Sequence, residues 1–230
     1  MNRSATELKV GGLTRLSTCD WPGQLAATVF CQGCAWDCPY CHNPGLRAME
    51  AEQPIAWTSI RDFLQARKGL LDAVVFSGGE PLLQPALFDA VAEVRSLGFR
   101  VGLHTTGMLP ERFAALLPQL DWVGFDIKAP RKEYVRIAGI ECSGDTAFAS
   151  LQALIGSRVP YEVRTTLHPA LISIEEMLVL KEELLKEGVT HFSVQHFRSQ
   201  GSRADRIPAI TALPILPRHY GSGFLYFQVR

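Results

Sequence analysis

Six short apolar runs, separated by stretches of helical period, constrain the fold of this chain more than any other feature. The runs cover residues 25–30 (LAATVF), 73–76 (AVVF), 99–103, 122–127 (WVGFDI), 161–167 and 191–196. They are continuous rather than alternating, the mark of strands covered on both faces, as in a parallel sheet. Helical patterns lie between them at 58–67, 85–97, 110–117, 146–155 and 173–187. Their ends are signalled by Thr58 as an N-cap, Gly98 as a terminator, Pro110 at a first turn, Gly156 as a stop, the box Ser173-x-x-Glu176, and Gly188. Strand and helix in alternation give an α/β fold, a parallel sheet with helices over it. Right-handed crossovers leave either an open doubly wound sheet or a barrel-like one. The 230 residues suit a single domain 1–230, with a core of about 20–198. The extension 199–230 is richer in Pro and Gly; it is expected to wrap the scaffold and end in a strand at 224–229.

Composition excludes some partners. Lys+Arg and Asp+Glu are both 23, which argues against a nucleic-acid surface, since that needs clustered basic charge. No run of uncharged apolar residues is long enough to span a membrane, and the first dozen residues lack the apolar stretch of a signal peptide. The expected location is the cytoplasm, where thiols stay reduced and serve metals or catalysis more often than disulfides.

In parallel α/β folds, ligands gather at the carboxyl ends of the strands. The unusual polar residues of this chain fall there. The first run leads into a cysteine cluster, the second into Ser77-Gly78-Gly79-Glu80-Pro81, and the third into His104-Thr105-Thr106-Gly107. The fourth carries Asp126 and Lys128, the fifth Arg164 and His168, the sixth Gln195 and His196. The cluster reads Cys31-Gln-Gly-Cys34-Ala-Trp-Asp-Cys38-Pro-Tyr40-Cys41-His42-Asn43-Pro44. Thiolates are soft ligands for iron–sulfur clusters and zinc. A zinc site using Cys31, Cys34, Cys38 and Cys41 would pack its two knuckles closer than is usual. A four-thiolate ferredoxin-type cluster also fits the spacing, as does a three-thiolate cluster on Cys34, Cys38 and Cys41 that leaves one iron open.

The C-x3-C-x-aromatic-C spacing resembles the signature of the radical S-adenosylmethionine enzymes. The continuation Cys41-His42-Asn43-Pro44, together with Gly11-Gly12-Leu13, Asp20-Trp21-Pro22-Gly23 and Val29 to Gly33, resembles the enzymes that install a glycyl radical on a partner enzyme. The nearest likeness is to the activating-protein family of anaerobic ribonucleoside-triphosphate reductase, over roughly residues 9–198. The resemblance implies a partial (βα)6 barrel of radical S-adenosylmethionine type with outer helices. It implies one [4Fe-4S] cluster on Cys34, Cys38 and Cys41 and S-adenosylmethionine chelated at the open iron. Tyr40 would lie near the adenine. Gly78, Gly79 and Glu80 match the Gly-Gly-Glu-Pro motif, whose carboxylate would receive the ligand's amino group. Thr106 matches the third-strand motif, and Asp126 and Lys128 the Asp-x-Lys of the fourth. Arg164 would partner the ligand carboxylate, and His196 the ribose or carboxylate. His104 stands where several such enzymes carry Asp, which puts a cation beside the ligand carboxylate in doubt. Cys19 and Cys142 match no role. The implied partners are a large glycyl-radical enzyme, in first place anaerobic ribonucleotide reductase, and a flavodoxin- or ferredoxin-type electron donor. The same chemistry on a small molecule or peptide, and a structural zinc protein, remain as alternatives.

Overall fold

The computed structural model describes residues 4–210 and 214–230. Eight strands form one sheet in strict sequence order: β1 (Val10–Ser17), β2 (Ala26–Cys31), β3 (Ala73–Gly78), β4 (Arg100–Thr105), β5 (Trp122–Asp126), β6 (Tyr161–Leu167), β7 (His191–His196) and β8 (Tyr226–Val229). β1 runs antiparallel to β2, and every later pair is parallel. Six α-helices accompany them: α1 (Trp57–Gln65), α2 (Leu87–Ser96), α3 (Pro110–Leu116), α4 (Tyr134–Ala138), α5 (Ser143–Ser157) and α6 (Ile174–Glu187). The strand order decides between the two expected architectures. A doubly wound sheet reverses its order at a switch point. Here the order never reverses, so right-handed crossovers put every helix on one face. The sheet is the partial barrel, with β1 and β8 as its two edges.

The two faces differ in composition because successive side chains point to opposite sides. Val29, Phe76, Leu103 and Val123 sit in one row of the ladder and are fully buried in the helix-side core. The opposite parity carries Thr28, Ser77, His104, Asp126, Arg164 and Ser193. At the floor of this inner face, Trp21 stacks on Trp122 with ring centroids 5.5 Å apart, and both join Ala26, Ala73 and Val75 in a small separate apolar cluster. Buried Glu162 accepts hydrogen bonds from Ser193 Oγ (2.5 Å), Gln228 Nε2 (2.9 Å) and Arg230 (2.7 Å), which ties β8 to β6 and β7.

Several elements differ from the sequence reading. β1 is added before the six expected strands, and α4 between the fourth and fifth. Thr58 is not the N-cap of α1; Ala56 holds that position without a side-chain bond. α5 starts at Ser143, not 146, and runs through Gly156 to end where Arg158 takes φ +64°. The Ser173–Glu176 capping box is present with both of its reciprocal bonds, and Gly188 closes α6 at φ +88°. The expected strand at 224–229 is β8, two residues shorter.

Candidate functional site

The cysteine loop leaves the carboxyl end of β2 and is closed at its base by backbone pairs. Gly33 N–H donates to Leu46 O (2.8 Å) and Cys34 N–H to Arg47 O (3.1 Å). Gln32 completes the closure by donating its amide to Gly45 O (3.0 Å) and Ala48 O (2.8 Å). Cys34, Cys38 and Cys41 stand on this loop, while Cys31 is still part of β2 and shares the parity of Ala27 and Val29 in the helix-side core. All six cysteines are free thiols. Burial, followed by the charge of Glu80, pushes the Cys34 thiol up to about 12. Burial also raises Cys38, against the opposing pull of the Lys128 ammonium. Thiols in such a setting ionise when a metal supplies the missing positive charge. Among the described residues, no three His, Cys, Asp or Glu side chains are gathered as the ligands of a single metal ion.

Gly78 and Gly79 are fixed by the loop's proximity. Gly78 has φ +109°, and a Cβ there would meet Cys31 O at 2.5 Å. At Gly79 a Cβ would meet Gly33 O at 2.2 Å. The two glycines let β3 press its last turn against the cysteine loop, sealed by Gly79 N–H to Cys31 O (2.9 Å) and Glu80 N–H to Gly33 O (2.8 Å). Glu80 is fully buried, and protein donors occupy its carboxylate. Oε1 accepts from Thr105 Oγ1 (2.7 Å) and Leu82 N–H (3.2 Å); Oε2 accepts from Thr106 N–H (2.9 Å) and Oγ1 (2.7 Å). Burial raises its pKa while these bonds oppose the shift. Glu80 and Thr106 are thus bonded to each other, bracing β3 against β4.

A second set faces inward. Arg164 Nε donates to Asp126 Oδ1 (2.8 Å), and Lys128 Nζ lies 3.8 Å from Asp126 Oδ2. Burial opposes the Asp126 charge, but Arg164 and Lys128 outweigh it and hold the carboxyl below its ordinary value. Lys128 sits 5.6 Å from the centre of the Tyr40 ring. Tyr40 itself is packed into the core, and its hydroxyl is buried without a partner. Arg164 and His104 meet over Gly124, where a Cβ would come within 2.8 Å of each. His104 Nε2 lies 2.7 Å from Asp20 O, so Nε2 carries the proton and Nδ1 accepts from Ser77 Oγ (3.1 Å). Burial, then the Arg164 charge, lowers the His104 pKa to about 4, leaving the ring neutral.

Of these groups, Arg164 and Asp20 line a cavity of about 460 Å³, together with Cys19, His42, Gln195 and His196 among others. His196 lines its rim with Nδ1 buried and unpartnered, while Gln195 has the inward parity. The structure therefore brings Asp126, Lys128 and Arg164 together, sets His196 in the same cavity wall as Arg164, and joins Glu80 to Thr106 at the carboxyl ends of β3 and β4. Ser77 and Gln195 stand at the strand ends where ligands are expected, but neither they nor Asp20 and Gln32 carry an assigned contact in the sequence reading. A glycine inside a strand, Gly124, was the one local sign that two side chains converge there.

Residues 28–194 match the Radical SAM superfamily. A putative glycyl-radical enzyme activating enzyme of Methanocaldococcus jannaschii is 33% identical over 183 residues, covering 73% of this chain and 72% of the relative. A pyruvate formate-lyase-activating enzyme of Streptococcus mutans is 28% identical over 215 residues, 84% of this chain and 80% of that one. Among solved structures, Streptococcus suis SuiB bound to S-adenosylmethionine superimposes with a TM-score of 0.57 at 16% identity, over 73% of this chain and 38% of SuiB. A second, anSMEcpe with bound AdoMet, gives a TM-score of 0.57 at 14% identity over 73% of this chain and 49% of its own. These two share the fold. Among the described residues, no helix is long and apolar enough to cross a membrane. The family match spans most of the chain, and the relative from M. jannaschii covers nearly three quarters of it: the chain belongs to the radical SAM superfamily and is a radical SAM enzyme.

Proposed function

We propose that this enzyme generates a glycyl radical on a partner, and that the partner is an anaerobic ribonucleoside-triphosphate reductase. The cluster ligands are Cys34, Cys38 and Cys41, and Cys31 stays in the core. The observation that carries the reading is the separation of thiols: three on the loop that follows β2, the fourth within β2 in strand parity with Ala27 and Val29. When bound, the [4Fe-4S] cluster and S-adenosylmethionine supply one-electron cleavage of a sulfonium and a carbon radical able to take hydrogen from a glycine Cα. The chain's own residues do the holding and orienting. Glu80, clamped by Thr105 and Thr106, fixes the β3 turn on which the cysteine loop rests. Arg164 lines the cavity and is paired with Asp126, which Lys128 approaches in turn, a set of fixed charges suited to the amino and carboxylate ends of an amino-acid ligand. His196 offers a ring nitrogen with no protein partner, suited to a ribose or carboxylate. Neutral His104 leaves no second carboxylate beside Arg164, which supports a ligand carboxylate held by protein cations. The electron comes from a flavodoxin- or ferredoxin-type donor in the cytoplasm.

The test is anaerobic reconstitution, reduction with S-adenosylmethionine, and mixing with the candidate reductase. The expected result is 5′-deoxyadenosine formation and a glycyl radical doublet in electron paramagnetic resonance. Deoxyadenosine without the doublet, but with a modified small molecule or peptide, would move the enzyme to another branch of the same chemistry.

A further inference from the structure

Asp37, in the cysteine loop, is surrounded by three arginines from two distant parts of the chain. Arg47 NH1 lies 2.9 Å from its Oδ1, Arg203 NH1 also reaches Oδ1, and Arg206 NH1 lies 3.1 Å from Oδ1 and 3.2 Å from Oδ2. Arg47 belongs to the return limb of the loop, and its Nε donates to Trp36 O (3.1 Å). Arg203 and Arg206 come from the extension after β7. The same extension makes two further bonds to the loop. Arg203 N–H donates to Cys41 O (3.1 Å), and His42 Nε2 lies 2.8 Å from Arg198 O. On its other side Asp37 N–H donates to Ala138 O (3.0 Å) at the end of α4. Residues 37 and 42 bracket Cys38 and Cys41, whose backbones are themselves joined, Cys41 N–H to Cys38 O (3.2 Å).

We infer that residues 198–206 staple the cysteine loop shut, and that Asp37 is the positioning residue that joins staple, loop limb and α4. One carboxylate facing three guanidiniums is a network rather than an isolated surface pair, the case in which exposed ion pairs have measurable weight. Two backbone-level bonds bracketing the Cys38–Cys41 turn set its shape before any cluster arrives, so the loop is preorganised for it. The staple also covers the Cys41 side of the loop, restricting entry of water and small chelators. Asp37 acts through the loop and touches no reacting atom.

The test has an arm that needs no cluster and an arm that does. In the cluster-free chain, Asp37→Asn should raise the alkylation rate of Cys38 and Cys41 by about tenfold, while Cys19 and Cys142 stay as in the parent. Subtilisin should cut within 198–207 faster in the same variant. In the reconstituted enzyme, iron loss to a chelator should accelerate by about tenfold, and Asp37→Glu should restore it. The pair Arg203→Gln, Arg206→Gln should reproduce these changes, and adding Asp37→Asn to it should change nothing more. Unchanged alkylation and cleavage in both variants, or effects that simply add, would overturn the inference. If Cys31 becomes reactive, the variant has unfolded, and Arg206→Gln alone then decides by the same readouts. The iron arm rests on the proposed function; if the parent chain takes up no iron, that reading fails while alkylation still judges the staple.

Discussion

Val163 and Arg164 are neighbours in β6, yet one is buried among helices and the other meets Asp126, Gly124 and His104 inside the barrel. The same division runs through β2, β3, β4 and β5. The outer face is a continuous apolar layer in which shape and volume matter. The inner face is a set of polar groups whose partners are each other, with a tryptophan stack beneath them. Parallel strands flanked by helices let one element serve both demands, because side-chain parity separates them by a single residue. Cys31 and the loop cysteines show the division most sharply. Cys31 has the outer parity and stays in the core; three residues later the chain has left the sheet, and Cys34 and Cys41 on the loop are partly exposed.

The comparison breaks first at the cysteines. Cys38→Ala should abolish iron retention and lower 5′-deoxyadenosine formation by about 100-fold or more, whereas Cys31→Ala should leave iron per chain close to the parent value; metal analysis of both variants reads this. Next in size is the outer face. Phe125 is fully buried, and Phe125→Ala should destabilise the fold by about 3–5 kcal/mol in denaturant titration. An inner-face change, Arg164→Lys, should instead raise the KM for S-adenosylmethionine with little loss of melting temperature, because it removes a forked donor and keeps a charge. Gly79→Ala comes third. Its Cβ would run into backbone at Gly33, so it should cost about 1–3 kcal/mol and also impair iron retention, while Gly45→Ala, with open space around it, should do neither.

The smallest effect is a pH dependence. The His104 pKa is about 4 in the fold and rises to its ordinary value on unfolding. Between those two values the unfolded chain binds a proton that the native chain refuses, so stability falls as pH drops through this window. His104→Gln should flatten this slope in melts taken from pH 7 to 4.

Much of the outer layer was legible in the sequence because continuous apolar runs report burial directly. β1 was not. Its Gly11-Gly12 start was read as a motif, and two register irregularities, at Val10/Gly12 and Thr14/Ser17, break the period that would have revealed it. Gly156 reads as a stop, yet a lone glycine does not end a helix whose neighbours pack; the left-handed turn falls at Arg158. In the site, the thiol spacing and the strand-end positions were readable. The pairing of Glu80 with Thr105 and Thr106 was not, because it joins different strands and depends on sheet register. Asp37 was invisible for the same reason: two of its three arginines lie more than 160 positions further along the chain, at 203 and 206.

The central claim, a three-thiolate cage that leaves one iron for S-adenosylmethionine, is tested most directly by single-turnover production of 5′-deoxyadenosine in Cys31→Ala and Cys38→Ala after anaerobic reconstitution. The account predicts parent-like yield from the first and none above background from the second. Equal loss in both variants, or no product from the parent chain, would contradict it.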